Sequence, residues 1–174
     1  MATIRPGRCY RRIKRAYTRK SKYKSMAFIA SVPPTKVVKF EYGNLQKEFD
    51  TEVDLVSKEA IQLRHNAIES ARTVVIRHLD KTGGNYRLQI RAIPHHVLRE
   101  NKMITGAGAD RMQKGMAQSF GKATGLASQL KKGKIIFAVK LDRANVPLAK
   151  EALTAATYRM CVKTEIQVKD LAKV

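Results

Sequence analysis

The first 25 residues carry ten lysines and arginines and not one acidic side chain. Such a stretch cannot collapse by itself, because like charges repel and little apolar surface offsets the entropy of ordering. Pro6 and Gly7 interrupt it early, and no clear amphipathic period runs through it. Whatever fold the chain adopts must be built downstream. Of the 174 residues, 44% are apolar, enough for one sizeable core. The net charge of +21 is unevenly placed: residues 26–34 hold no charge, and residues 35–98 hold ten basic and eight acidic side chains. Residues 99–134 hold eight basic against two acidic, and 135–174 seven against four. Charge is concentrated where folding periodicity is weakest, which points to a polyanionic partner.

No apolar run approaches the ~20 residues of a membrane span, the longest being 26–34 and 135–139. No membrane partner is expected, and no secretory signal, since no apolar segment of that kind follows the basic arm. Two cysteines, Cys9 and Cys161, cannot frame a disulfide fold, and a reducing compartment is the simpler expectation.

The arm places Arg5, Arg8, Arg11, Arg12, Lys14, Arg15, Arg19, Lys20, Lys22 and Lys24 among Tyr10, Tyr17 and Tyr23. Guanidinium and ammonium groups neutralise phosphates, and tyrosines stack on unpaired bases, so the interleaving suits RNA. A solvated basic tail and an Arg-rich transit peptide are compatible with the same composition.

Downstream, residues 36–40 read as a short strand ending at the Gly43-Asn44 turn. Phe49, Val53 and Leu55 suggest a second strand, with Glu48, Asp50, Glu52 and Asp54 on its solvent face. Ser57 offers an N-cap for a helix over 58–80, stopped by Gly83-Gly84. Tyr86, Leu88, Ile90 and Ala92 alternate with Arg87, Gln89 and Arg91; those arginines face either acids or RNA. A central strand over 134–141 follows Gly133, then a helix over 146–159 capped by Asn145 with Pro147 in its first turn. Val162, Thr164, Ile166 and Val168 make a last strand. The pattern predicts a single α+β domain over 35–174, two helices packed on a mixed or antiparallel sheet, with residues 1–34 as a basic extension.

Between strands ending near Leu98 and opening near Leu126 lies a basic loop, 101–125, with five glycines. Loops beyond ~12–15 residues are uncommon in compact domains unless functional or disordered. Glycines let backbone amides approach phosphates while the cations supply the field. A flexible lid, or an insertion with a short helix over 110–120, is the plainer alternative.

Catalytic and metal-binding patterns are missing. Gly106-Ala107-Gly108 lacks the third glycine of a dinucleotide site, and Gly121-Lys122 lacks the Ser/Thr of a phosphate loop. His95 and His96 are adjacent and point apart in an extended chain, and His65 and His78 stand thirteen residues apart. No catalytic residue, metal ligand or cofactor is expected.

Several blocks resemble a known family. Arg5-Pro6-Gly7-Arg8-Cys9-Tyr10-Arg11, Ala16-Tyr17-Thr18-Arg19 and Leu55-Val56-Ser57-Lys58-Glu59 are three of them. The most specific are Pro94-His95-His96-Val97-Leu98-Arg99-Glu100-Asn101-Lys102-Met103, Gly106-Ala107-Gly108-Ala109-Asp110-Arg111-Met112 and Ser119-Phe120-Gly121-Lys122. Together they resemble the large-subunit ribosomal proteins of the archaeal and eukaryotic L-ten-e type, siblings of bacterial L-sixteen. The resemblance implies a non-catalytic domain docked on large-subunit rRNA, beside neighbouring ribosomal proteins, in the cytoplasm. It puts Arg5, Arg8, Arg11, Arg12 and Arg19 in rRNA and carries over Asn101 and Lys102 with the loop blocks, while the chemistry of the rest of the arm and of Arg99 adds those residues to the RNA-binding set. It also implies that Met103, Gly106, Ala107, Gly108, Ala109, Asp110, Arg111, Lys114, Gly115, Phe120, Gly121 and Lys122 lie near the acceptor arm of tRNA, toward the peptidyl-transferase centre. The chain ends soon after its last strand, so an archaeal-type member is expected.

Overall fold

A computed structural model describes residues 5–13, 22–29, 31–101 and 121–171. In chain order the elements are β1 (Glu41–Gly43), β2 (Thr51–Ser57), β3 (Ile61–Arg64), α1 (His65–Leu79), β4 (Tyr86–Ile90) and β5 (His96–Glu100). After them come β6 (Lys122–Leu130), β7 (Ile135–Leu141), α2 (Val146–Thr157) and β8 (Thr164–Asp170). The α+β class read from the pattern is the one observed. The strands form two antiparallel sheets, ordered β1-β4-β7-β2-β8 and β3-β6-β5.

One core joins both sheets and both helices. Ile68, Ala71, Val75 and Leu79 of α1 pack with Ala149, Ala152, Leu153 and Ala156 of α2, over Val53, Leu55, Leu88, Phe137 and Val139 of the larger sheet. Ile61, Leu63 and Leu130 of the smaller sheet belong to the same cluster. The alanines of α2 let the two helices approach closely, since a small side chain costs little entropy to bury.

The first helix departs from expectation. It begins at His65, not at 58, because residues 61–64 pair with β6 as an edge strand. The apolar spacing of Ile61 and Leu63 fits a strand as well as a helix, and pairing with β6 decides between them. Ser57 is therefore no cap; its hydroxyl donates to the Glu59 carbonyl at 2.7 Å, and Arg64 stands at the cap position. Asn145 holds the cap position of α2 but gives no side-chain hydrogen bond to it. The early strand is Glu41–Gly43, while residues 36–40 are not in a ladder.

The acids of β2 are not on a solvent face. Glu52 and Asp54 are buried, because β2 lies between β7 and β8 and long basic side chains from its neighbours close over them. Lys169 Nζ sits 2.7 Å from Asp54 Oδ2, while Lys140 and Arg91 each approach Glu52 to 3.8 Å. Arg87 pairs with Glu41 at 3.0 Å, so both strand arginines turn to acids within the protein.

Candidate RNA interface

The smaller sheet organises the basic segments. β5 ends at Glu100 and β6 begins at Lys122, its direct partner in the ladder. The basic loop is thus shorter at its C-terminal end than the sequence reading had it: residues 122–125 belong to β6, and Gly125 stands opposite Leu98. The reason is local. An added Cβ on Gly125 would lie 3.3 Å from His65 Nε2, so a glycine there gives the α1 histidine room against the strand. His65 Nδ1 accepts the Lys36 N–H at 3.2 Å. Burial, with Lys36 and Arg64 nearby, lowers the imidazole pKa and favours the neutral ring.

The arm docks on both outer strands of this sheet. Gln62 of β3 donates its backbone N–H to the Arg11 carbonyl at 2.9 Å and its side-chain amide to the Tyr10 carbonyl at 2.9 Å. Arg64 Nη1 donates to the Arg5 carbonyl at 2.9 Å, and its guanidinium lies 5.3 Å from the Tyr10 ring centre. At the end of β5, Glu100 takes Arg5 Nε on one oxygen at 2.7 Å and the Tyr10 hydroxyl on the other at 3.2 Å. Burial first, then the Glu100 charge, raises the Tyr10 pKa, so the hydroxyl stays protonated and donates.

A cleft of about 290 Å³ remains between arm and sheet, lined in part by Cys9, Tyr10, Arg12, Val97 and Arg99. Cys9 and Cys161 are both free thiols. A second, open cleft of about 890 Å³ is walled by Lys47, Arg87 and Lys140 with Glu48, Asp50 and Asp142. Its charges offset one another, as in the 2.8 Å Lys47–Asp142 pair, and no activated nucleophile faces it. Among the described residues no group of three His, Cys, Asp or Glu side chains is placed to hold a metal ion, and no helix is long and apolar enough to cross a membrane.

The expected RNA-binding residues divide accordingly. Arg8, Arg11 and Arg12 are exposed and form no ion pair with a described carboxylate. Arg5 and Tyr10 are held by the protein, with Glu100, Gln62 and Arg64 as the residues that sequence reasoning missed. Nothing in a single sequence signals a contact between residues so far apart. Lys22 is exposed, Lys24 opens a short 3₁₀ turn, and Arg99 and Asn101 are half-buried at the loop base with Gly121 and an exposed Lys122. Lys14, Arg15, Tyr17, Arg19 and Lys20 lie outside the described residues. So do Lys102, Met103, Gly106, Ala107, Gly108, Ala109, Asp110, Arg111, Lys114, Gly115 and Phe120.

A family model described as ribosomal protein L16p/L10e matches residues 13–167. The chain belongs to that family. It is 48% identical to large ribosomal subunit protein uL16 of Methanococcus aeolicus, over 95% of this chain and 94% of that protein. The uL16 proteins of Staphylothermus marinus and Sulfolobus acidocaldarius are 44% and 41% identical, covering 97% and 98% of this chain and 95% and 96% of their own lengths. Family membership makes the chain a ribosomal protein of the archaeal type, not an enzyme.

Proposed function

We propose that this chain is a structural constituent of the large ribosomal subunit, in the cytoplasm, holding rRNA with its N-terminal arm and loop base. The carrying observation is the meeting of these two segments at Glu100, which gathers Arg8, Arg11, Arg12 and Lys122 around one small sheet. The arm contributes exposed guanidinium groups to phosphates, while Arg5 and Tyr10 fix its path. Phosphate contacts of this kind position a protein without reading sequence. From the same base, residues 102–120 extend toward the acceptor arm of tRNA near the peptidyl-transferase centre, and other large-subunit proteins flank the domain.

Sedimentation tests the first part. The chain should travel with large subunits after a moderate salt wash, and a protein found free in the soluble fraction contradicts the reading. Shortening the loop within residues 105–120, which spares Lys122, should leave docking largely intact while impairing peptide synthesis; unaltered synthesis contradicts the loop's role.

A further inference from the structure

The turn between β6 and β7 reads Lys131-Lys132-Gly133-Lys134, three lysines in four residues. All three are exposed, and none pairs with a carboxylate among the described residues. The turn is fixed by its backbone. Gly133, at φ +82°, donates its N–H to the Ser57 carbonyl at 2.8 Å, and Ser57 donates to the Lys134 carbonyl at 2.9 Å. Lys58 N–H reaches the Lys163 carbonyl at 2.9 Å, bringing two more lysines to the same pole. Those two have acids, Glu165 at 3.4 Å from Lys58 and Glu59 at 3.3 Å from Lys163. The turn's own three charges remain uncompensated, whereas along the large sheet Glu41, Glu52 and Asp54 meet Arg87, Lys140 and Lys169.

Such a patch suits a nucleic-acid backbone better than a protein. Protein interfaces are anchored by aromatic or apolar side chains and are poor in lysine, and none of the large exposed apolar side chains lies in this turn. It is also remote from the loop base. β6 runs nine residues from Lys122 at the loop base to Leu130 beside the turn, about 25 Å at ~3.3 Å per residue.

We infer that the Lys131–Lys134 turn is a further anchoring site for the RNA phosphate backbone, at the opposite end of β6 from the loop base. The inference rests on the rRNA-binding reading above. A folded rRNA domain can engage both ends of β6 at once, and each contact then raises the effective concentration of the other.

The test uses the full chain and protein-free large-subunit rRNA, titrated over a range of salt. Three variants are compared: Lys131→Gln/Lys132→Gln/Lys134→Gln, a charge-matched control Lys39→Gln/Lys81→Gln/Lys150→Gln, and Arg8→Gln/Arg11→Gln/Arg12→Gln. The turn variant should bind at least about tenfold more weakly, with a log–log salt slope shallower by roughly 2, since each lost phosphate contact removes ~0.7–0.9. The control should stay within about threefold of wild type. Equal behaviour of turn variant and control overturns the site. If the arm variant loses affinity and the turn variant does not, only this inference falls; if neither loses affinity, the rRNA-binding reading falls with it. In assembled subunits, Lys131, Lys132 and Lys134 should resist amine acylation and regain reactivity after nuclease digestion. Protection that survives nuclease means a neighbouring protein covers the turn, which also overturns the proposal.

Discussion

The Arg5 guanidinium sits 2.7 Å from the carboxylate of Glu100, joining the start of the basic arm to the last residue of β5. The same carboxylate takes the Tyr10 hydroxyl, so one acid at the base of the loop holds two points of the arm. The arm therefore has a docked path before any RNA is present. Arg5 is 42% exposed, so water screens its pair and the contact is modest in energy. Glu100→Gln should loosen the arm without unfolding the domain, at a cost of about 1 kcal/mol or less. The expected readout is faster tryptic cleavage within residues 5–12 at an almost unchanged urea midpoint. An unchanged cleavage rate shows that Glu100 does not hold the arm.

Asp54 is buried with Lys169 on one oxygen and no hydrogen-bond partner on the other among the described residues. Removing the lysine leaves a buried carboxylate uncompensated, which costs several times more than an exposed pair is worth. Lys169→Met should destabilise the protein by about 2–3 kcal/mol in chemical unfolding. Adding Asp54→Asn should recover much of that loss. Additive losses in the double variant contradict the pairing.

Gly43 ends β1 at φ +89°, where an added Cβ would lie 2.0 Å from the Tyr86 carbonyl oxygen. That oxygen already accepts the Asn44 N–H at 2.8 Å, so the two backbones cannot simply part. Gly43→Ala should cost at least about 2 kcal/mol, from left-handed strain and lost pairing together. A thermal midpoint within a degree of wild type contradicts this geometry.

His65 supplies a pH dependence. Its pKa is lowered in the folded protein by burial and by Lys36 and Arg64, so below the ordinary value near 6.5 the unfolded chain binds more protons. Stability is then full above that pH and declines as pH falls through the window below it. His65→Asn, which keeps an acceptor near the Lys36 amide, should flatten the decline below about pH 6.5. An identical pH profile would assign the decline to other groups.

Tyr86 works in the opposite direction at alkaline pH. Burial and its 2.8 Å hydrogen bond to Asp80 push its pKa up to about 12. The folded state holds this proton after the unfolded chain has lost it, so the contribution is lost as pH rises from about 10 through 12. Absorbance titration should show a late phenolic transition that disappears in Tyr86→Phe. Persistence of that transition in the variant contradicts the assignment.

Much of the architecture was legible because it rests on local periodicity. The alternation at Tyr86–Ile90 and the apolar run through Phe137 both became strands of the larger sheet. The β3–α1 boundary was not legible, because Ile61 and Leu63 satisfy either period and only β6 selects the strand. Glu52 and Asp54 were misplaced for a related reason: alternation marks a face, but it does not say that Lys140 and Lys169 will cover that face. At the candidate site, composition singled out Arg8, Arg11 and Arg12, which are exposed. It gave no hint that Tyr10 and Arg5 are occupied by Glu100, since that contact depends on how β3 and β5 are brought together by β6.

The most direct measurement is the structure of a large ribosomal subunit containing this chain, read at two places around Glu100. Guanidinium groups of Arg8, Arg11 and Arg12 and the ammonium of Lys122 should lie within hydrogen-bonding distance of rRNA phosphates, with Arg5 and Tyr10 still on the carboxylate. Finding those four cations in solvent, with no nucleotide beside the arm or the end of β6, would contradict the account.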